Sequence, residues 1–157
     1  WFVILTGHSI SFYHQNPSHI SNKSKIIRLS CRLREKLALT LMQLIGHSFH
    51  HNEPPWTIKA LAKKTCMSEE ALMIIMPALL SNKLLTTTGE TDQHYLPIQS
   101  LENITLEMII DAARSAEETP ALRPDDVDTV QQVNDTVQCL ENAMSDVIKN
   151  KTLKDLI

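Results

Sequence analysis

Residues 57–97 read TIKALAKKTCMSEEALMIIMPALLSNKLLTTTGETDQHYLP, and the fold turns on how this stretch divides. Thr57 is placed to cap a helix over Ile58–Thr65, with Ile58, Leu61 and Ala62 facing inward. After a tight Cys66-Met67 turn, Ser68 opens a second helix, and Glu69 and Glu70 put negative charge in its first turn, where the helix dipole favours it. Leu72, Ile75, Met76, Leu79 and Leu80 carry that helix to about Leu84, interrupted by Pro77. Helix, tight turn and helix is a helix-turn-helix outline. From Thr86 the residues become β-branched, turn at Gly89 and return through Tyr95 and Leu96, which predicts a two-stranded hairpin in the position of a wing.

Toward the C-terminus, Thr105 is set to cap a helix through Leu106, Ile109, Ile110 and Ala113. Ala116–Asp126, with Pro120 and Pro124 among acids, reads as a connection. Beyond it Val130, Val133, Val137, Leu140, Met144 and Val147 recur at alternating spacings of three and four, a heptad seam. Fewer than three full heptads leave two outcomes open: packing back on the same domain, or pairing with a second subunit, so these six residues are a candidate oligomer seam.

Toward the N-terminus, Pro54-Pro55 must end whatever helix precedes them. Leu29, Leu33, Leu37, Leu41, Leu44, Ile45 and Phe49 mark one face of an amphipathic helix over about residues 24–50. Six cations, Lys23, Lys25, Arg28, Arg32, Arg34 and Lys36, cluster around its start with the single acid Glu35. The opening residues 1–13 hold no charge and have aromatics at both ends. Thirteen helical residues span about 20 Å, less than a bilayer core, so they would be the second half of a membrane helix and not a signal peptide. Cations just beyond such a helix are the positive-inside pattern, which predicts that the six basic residues lie on anionic lipid headgroups and the remainder on the cytoplasmic side.

The chain's 157 residues are 43% apolar, enough for one domain with a core. Net charge is −3, but residues 1–66 carry nine Lys and Arg against two acids while residues 67–157 carry six against sixteen, so the two halves meet partners of opposite charge. Only Gly7, Gly46 and Gly89 are present, too few for a glycine-rich phosphate loop, which removes most nucleotide-dependent enzymes. Cys31, Cys66 and Cys139 are odd in number and far apart, without disulfide-framework or zinc-ribbon spacing.

Several short motifs carry a resemblance. Trp1-x-x-x-Leu5-x-Gly7 with Gln15-Asn16-Pro17, then Arg34-Glu35-Lys36-Leu37-Ala38-Leu39 and Pro54-Pro55-Trp56-Thr57, resemble the end of the last membrane helix and the following stretch in the YihY/BrkB family of bacterial inner-membrane proteins, formerly labelled ribonuclease BN. Tyr95-Leu96-Pro97, Ile104-Thr105-Leu106 and Thr152-Leu153-Lys154-Asp155-Leu156 are similar to the ending of its long-tailed members. His8 departs from the small residue usual there. The resemblance implies a multi-span protein of undefined activity with a winged-helix-like cytoplasmic tail. Ile104-Thr105-Leu106 after a wing also resembles the Rrf2 winged-helix transcription regulators; those that sense iron–sulfur clusters hold cysteines between wing and long helix, and here none lies between Cys66 and Cys139.

The chemistry is sparse. A recognition helix bearing Glu69, Glu70, Leu72, Met73, Ile74 and Ile75, with only Glu90 and Asp92 charged on the wing, argues against nucleic acid as a partner. A metal-dependent nuclease needs convergent carboxylates, whereas the acids here fall on helix surfaces and in the connection. His47, His50 and His51 read as a surface cluster at a frayed helix end. Gly7 and Ser11 form a small-residue pair suited to packing against the remaining bundle of the same protein. The expectation is therefore a mainly α chain: the end of a membrane helix at 1–17, a basic juxtamembrane segment and amphipathic helix at 18–55, a winged-helix-like core at 56–115, a linker at 116–126 and a long helix at 127–157. It predicts a cytoplasmic regulatory or interaction domain of an inner-membrane protein, able to form a homodimer, with no catalytic residue, metal or cofactor. The alternative is a soluble Rrf2-type regulator without an iron–sulfur cluster.

Overall fold

The computed structural model describes residues 27–89, 93–118 and 127–157. Its elements, in chain order, are α1 (Cys31–His50), β1 (Trp56–Thr57), α2 (Ile58–Thr65), α3 (Glu69–Ser81), β2 (Leu85–Thr88), β3 (His94–Pro97), α4 (Leu106–Arg114) and α5 (Gln131–Ile148), with short 3-10 turns at Ser115–Glu117 and Leu153–Leu156. The chain is mainly helical with a small antiparallel sheet, and the arrangement is that of a winged helix.

Local capping chemistry sets the helix starts. Ser30 accepts from the Leu33 amide, Thr57 from Ala60, Ser68 from Ala71 and Thr105 from Met108. Each satisfies one of the amide donors that a helix N-terminus leaves without a partner. The Ser30 cap begins α1 at Cys31, seven residues later than the apolar spacing predicts, and Leu29 is buried just outside the helix. Cys66 takes the left-handed conformation, φ 54°, and makes the tight turn between α2 and α3. Pro77 lies within α3 and does not end it; the helix stops at Ser81, and Lys83, also left-handed at φ 56°, turns the chain into β2.

α1 is the central support. Leu37, Ala38, Leu41, Met42, Ile45 and Gly46 are buried on it, and it packs against α3, α4, β3 and the C-terminal turn. Leu33 and Phe49, which the apolar spacing places on the same face, are exposed at its two ends. The core is completed by Leu61, Leu72, Ile75, Met76, Leu79, Leu84, Leu85, Tyr95, Ile104 and Ile109.

The wing has a third strand that the sequence does not announce. β3 pairs with β2 (Leu85 opposite Pro97, Thr88 opposite His94) and on its other edge with β1 (Trp56 opposite Tyr95), giving the order β1-β3-β2. Trp56 fixes β1 to α1: its indole N–H donates to Ser48 Oγ at 2.6 Å and to the Leu44 carbonyl, and the buried Ser48 hydroxyl donates to Glu53. Two residues that follow a pair of prolines carry no strand periodicity, so only the long-range pairing reveals them.

α5 behaves differently from every other helix described. No residue of it is buried, and Val130, Val133, Val137, Leu140 and Val147 are 46–71% exposed. It touches the rest of the domain near its C-terminal end, where Ser145 Oγ donates to Glu107 at 2.7 Å and Arg114 Nη2 reaches Met144 Sδ. The helix stops at Ile148. Asn150 reverses the chain with φ 66°, and the tail returns: the Leu153 amide donates to the Ile104 carbonyl at 2.8 Å, the Leu106 amide to the Lys151 carbonyl, and Thr152 bridges Thr105. Leu153 is buried against α1 at Gly46, where an added Cβ would lie 2.9 Å from the Ile157 side chain and 3.2 Å from Leu153.

Candidate nucleic-acid interface

α2, the Cys66 turn and α3 form a helix-turn-helix, with the β2–β3 hairpin following directly. In such a unit the first helix crosses the DNA backbone and the second presents its N-terminal residues to base edges in the major groove. Leu61 and Ala62 anchor α2 in the core, which leaves Lys59, Lys63 and Lys64 exposed on it. Leu72, Ile75, Met76 and Leu79 anchor α3, which leaves Glu69, Glu70, Met73, Pro77 and Ser81 outward, with Lys83 exposed at the turn into the wing. The Glu70 carboxylate is held below the usual carboxylate range by hydrogen bonds from its own backbone N–H and from Ser68, so it is spent on the helix N-terminus.

The predicted basic cluster is described in part, with Lys36 exposed on α1. Lys23 and Lys25 lie outside the described residues, while Arg28 and Arg32 are exposed on or beside the start of α1. Arg34 instead turns inward: its side chain is 13% exposed and its Nη1 pairs with Glu117 at 3.0 Å, with Nε buried and lacking a partner. Arg114 pairs with Glu35 at 2.7 Å, a hydrogen bond that raises the Arg114 pKa. These two pairs tie α1 to the end of α4, so Arg34 is part of the tertiary structure and is not on a free lipid-facing surface.

Three other places were marked by chemistry. The His47 and His51 rings lie tilted against each other with centroids 4.4 Å apart, and His47 Nδ1 is 3.9 Å from Glu53, but no three His, Cys, Asp or Glu side chains among the described residues are placed to hold a metal ion. A cleft of about 540 Å³ between α4 and α5 is lined by Glu107, Asp111, Arg114, Glu118 and Glu141. Burial and the Glu107 carboxylate push the Asp111 pKa up. Cys31, Cys66 and Cys139 are all exposed, on α1, in the turn before α3 and on α5. With no second thiolate on any of these elements and no cysteine between residues 66 and 139, the residues present do not fit a thiolate-held iron–sulfur cluster.

The fold is similar to solved structures of transcription regulators. CymR, the global cysteine regulator of B. subtilis, matches with TM-score 0.58 and 21% identity over 83% of this chain and 96% of its own. IscR of T. potens matches with TM-score 0.59 and 15% identity, covering 83% and 86%. CymR of Staphylococcus aureus matches with TM-score 0.57 and 21% identity, covering 77% and 92%. These are winged-helix regulators of the Rrf2 family. No protein-family model matches the chain, and no curated protein does.

These matches overturn the YihY/BrkB resemblance, and with it the inner-membrane placement, the lipid headgroups and the membrane bundle as partners. The motifs behind that resemblance span three to seven residues each, whereas the structural likeness extends over most of the chain. No helix among the described residues is long and apolar enough to cross a membrane, and the supposed membrane segment, residues 1–17, lies outside them. The reading of nucleic acid as an unlikely partner is overturned by the same matches. It weighed the acids of α3 and the wing and omitted Lys59, Lys63 and Lys64, whose positions off the buried face of Ile58, Leu61 and Ala62 were already readable in the sequence, and Lys83 between α3 and β2.

Proposed function

We propose that this chain is a winged-helix transcription regulator of the Rrf2 type that binds DNA as a homodimer, holds no iron–sulfur cluster and catalyses no reaction. The observation that carries the reading is the α2–turn–α3 unit followed by its wing, set in an architecture similar to CymR and IscR over more than three quarters of the chain. Lys59, Lys63, Lys64 and Lys83 supply the phosphate contacts around α3. The largely uncovered row Val130, Val133, Val137, Leu140, Met144 and Val147 along α5 supplies the subunit contact. Two copies related by a two-fold axis would read half-sites separated by one helical turn of DNA or a multiple of it.

A gel-shift titration of the whole chain against a pool of genomic fragments at low salt tests this. Retention of a limited set of fragments with two-fold symmetric sites is the expected result. Four lysines per subunit give a dimer a slope of about −7 in log affinity against log salt. No retention even at about 50 mM salt, a concentration at which phosphate contacts are strong, would end the proposal.

A further inference from the structure

The exposed ridge of α3 is unusual for a helix that enters a DNA groove. Glu69, Met73, Pro77 and Ser81 follow one another at intervals of four and are all exposed, while the residues between them, Glu70 apart, are half-buried or in the core. No Arg, Lys, Asn or Gln occurs from Glu69 to Ser81. The helix therefore has no side chain for the bidentate contacts that select guanine or adenine. Of its two carboxylates Glu69 heads this exposed ridge at the position that meets base edges first, whereas Glu70 stands one residue off it, on the face of the half-buried Ile74.

We infer that Glu69 is a specificity-determining residue that accepts a hydrogen bond from the N4 amino group of a cytosine in each half-site, with Met73, one turn further on, against a thymine methyl. This rests on the DNA-binding reading above. An ionised carboxylate is an acceptor only; of the two major-groove amino donors, cytosine N4 suits it better than adenine N6, beside which the N7 lone pair repels it. At a guanine or thymine the carboxylate faces acceptors inside a groove already lined by phosphate charge, so Glu69 penalises wrong sites as well as favouring the right one. Met73, 56% exposed and apolar, suits the one methyl group that the major groove offers.

Selection of bound duplexes from a random library, run with the whole chain and with Glu69→Gln and Glu69→Ala, tests it. Wild type is expected to enrich cytosine at one position of each half-site, by about tenfold over other bases. Glu69→Gln is expected to move that position to adenine, which a glutamine amide pairs through N6 and N7. Glu69→Ala should lose the preference while binding unrelated duplexes more tightly, because a negative charge has left the groove. A motif unchanged by Glu69→Gln, or a wild-type motif with no cytosine dependence, overturns the inference but leaves the regulator reading intact. If the wild-type chain retains no duplex at low salt, both fall together.

Discussion

α1 and α5 look alike on paper and end differently. Both are long helices with apolar residues at spacings of three and four, yet α1 buries Leu37, Ala38, Leu41, Met42, Ile45 and Gly46 while α5 buries nothing. The difference lies in what surrounds each stripe. α1 is enclosed by α3, α4, β3 and the returning tail, so its stripe is satisfied within one chain. α5 is held at its C-terminal end by two side-chain contacts to α4 and by the tail beyond it, which leaves its stripe facing outward. Spacing alone says that a face must be covered and does not say by what.

The two helices should differ most when single core side chains are cut back. Leu41→Ala and Leu72→Ala, at fully buried positions, should each lower stability by about 2–5 kcal/mol in denaturant unfolding. Leu140→Ala, 67% exposed, should stay within about 0.5 kcal/mol at protein concentrations low enough to favour the monomer. Equal losses at Leu41 and Leu140 in that regime would mean that α5 packs on its own domain after all. Val137→Asp should halve the mass measured by light scattering without changing the far-ultraviolet circular dichroism, since its cost falls on the subunit contact; an unchanged mass removes the homodimer.

Smaller effects bear on the same contrast. Thr105→Ala removes the cap of α4 next to the tail's bridge at Thr152 and should cost about 1 kcal/mol. Lys63→Ala should weaken binding to all duplexes alike and reduce the magnitude of the salt slope by about 1 for each phosphate that the lysine had neutralised, unlike any change at Glu69. The smallest effect lies in the cleft between α4 and α5. Asp111 has its pKa raised in the folded state by burial and by Glu107, so the native state holds that proton more tightly than the unfolded chain does. Its ionisation therefore destabilises the fold as pH rises from the ordinary aspartate value through the raised one. Asp111→Asn should raise the melting temperature at pH 7 and leave it unchanged near pH 3, and a gain of equal size at both values would place its cause outside this titration.

Much of the helix-turn-helix was legible because its signals are local. Thr57, Ser68 and Thr105 cap through their own hydroxyls to amides three residues on, and the wing turns at Gly89, which has φ 91°. The candidate interface was only half legible. The acids of α3 were visible and drew the wrong conclusion about nucleic acid, because residue types on one helix were weighed without the lysines that α2 presents beside it. The cation cluster misled in a similar way, since charge counted along the chain does not distinguish an exposed Arg32 from an Arg34 paired with Glu117.

Residue order was enough to set the starts of α2, α3 and α4 and the hairpin after them, because caps, turns and apolar spacing act within a few residues of one another. It took the folded arrangement to make Trp56–Thr57 a strand, to return the tail to Gly46, to enclose Arg34 and to leave the stripe of α5 uncovered. Each of these outcomes depends on groups far apart in the chain meeting, or failing to meet, and the free energy of such a meeting is fixed by the partner across it, which no local pattern of residues specifies.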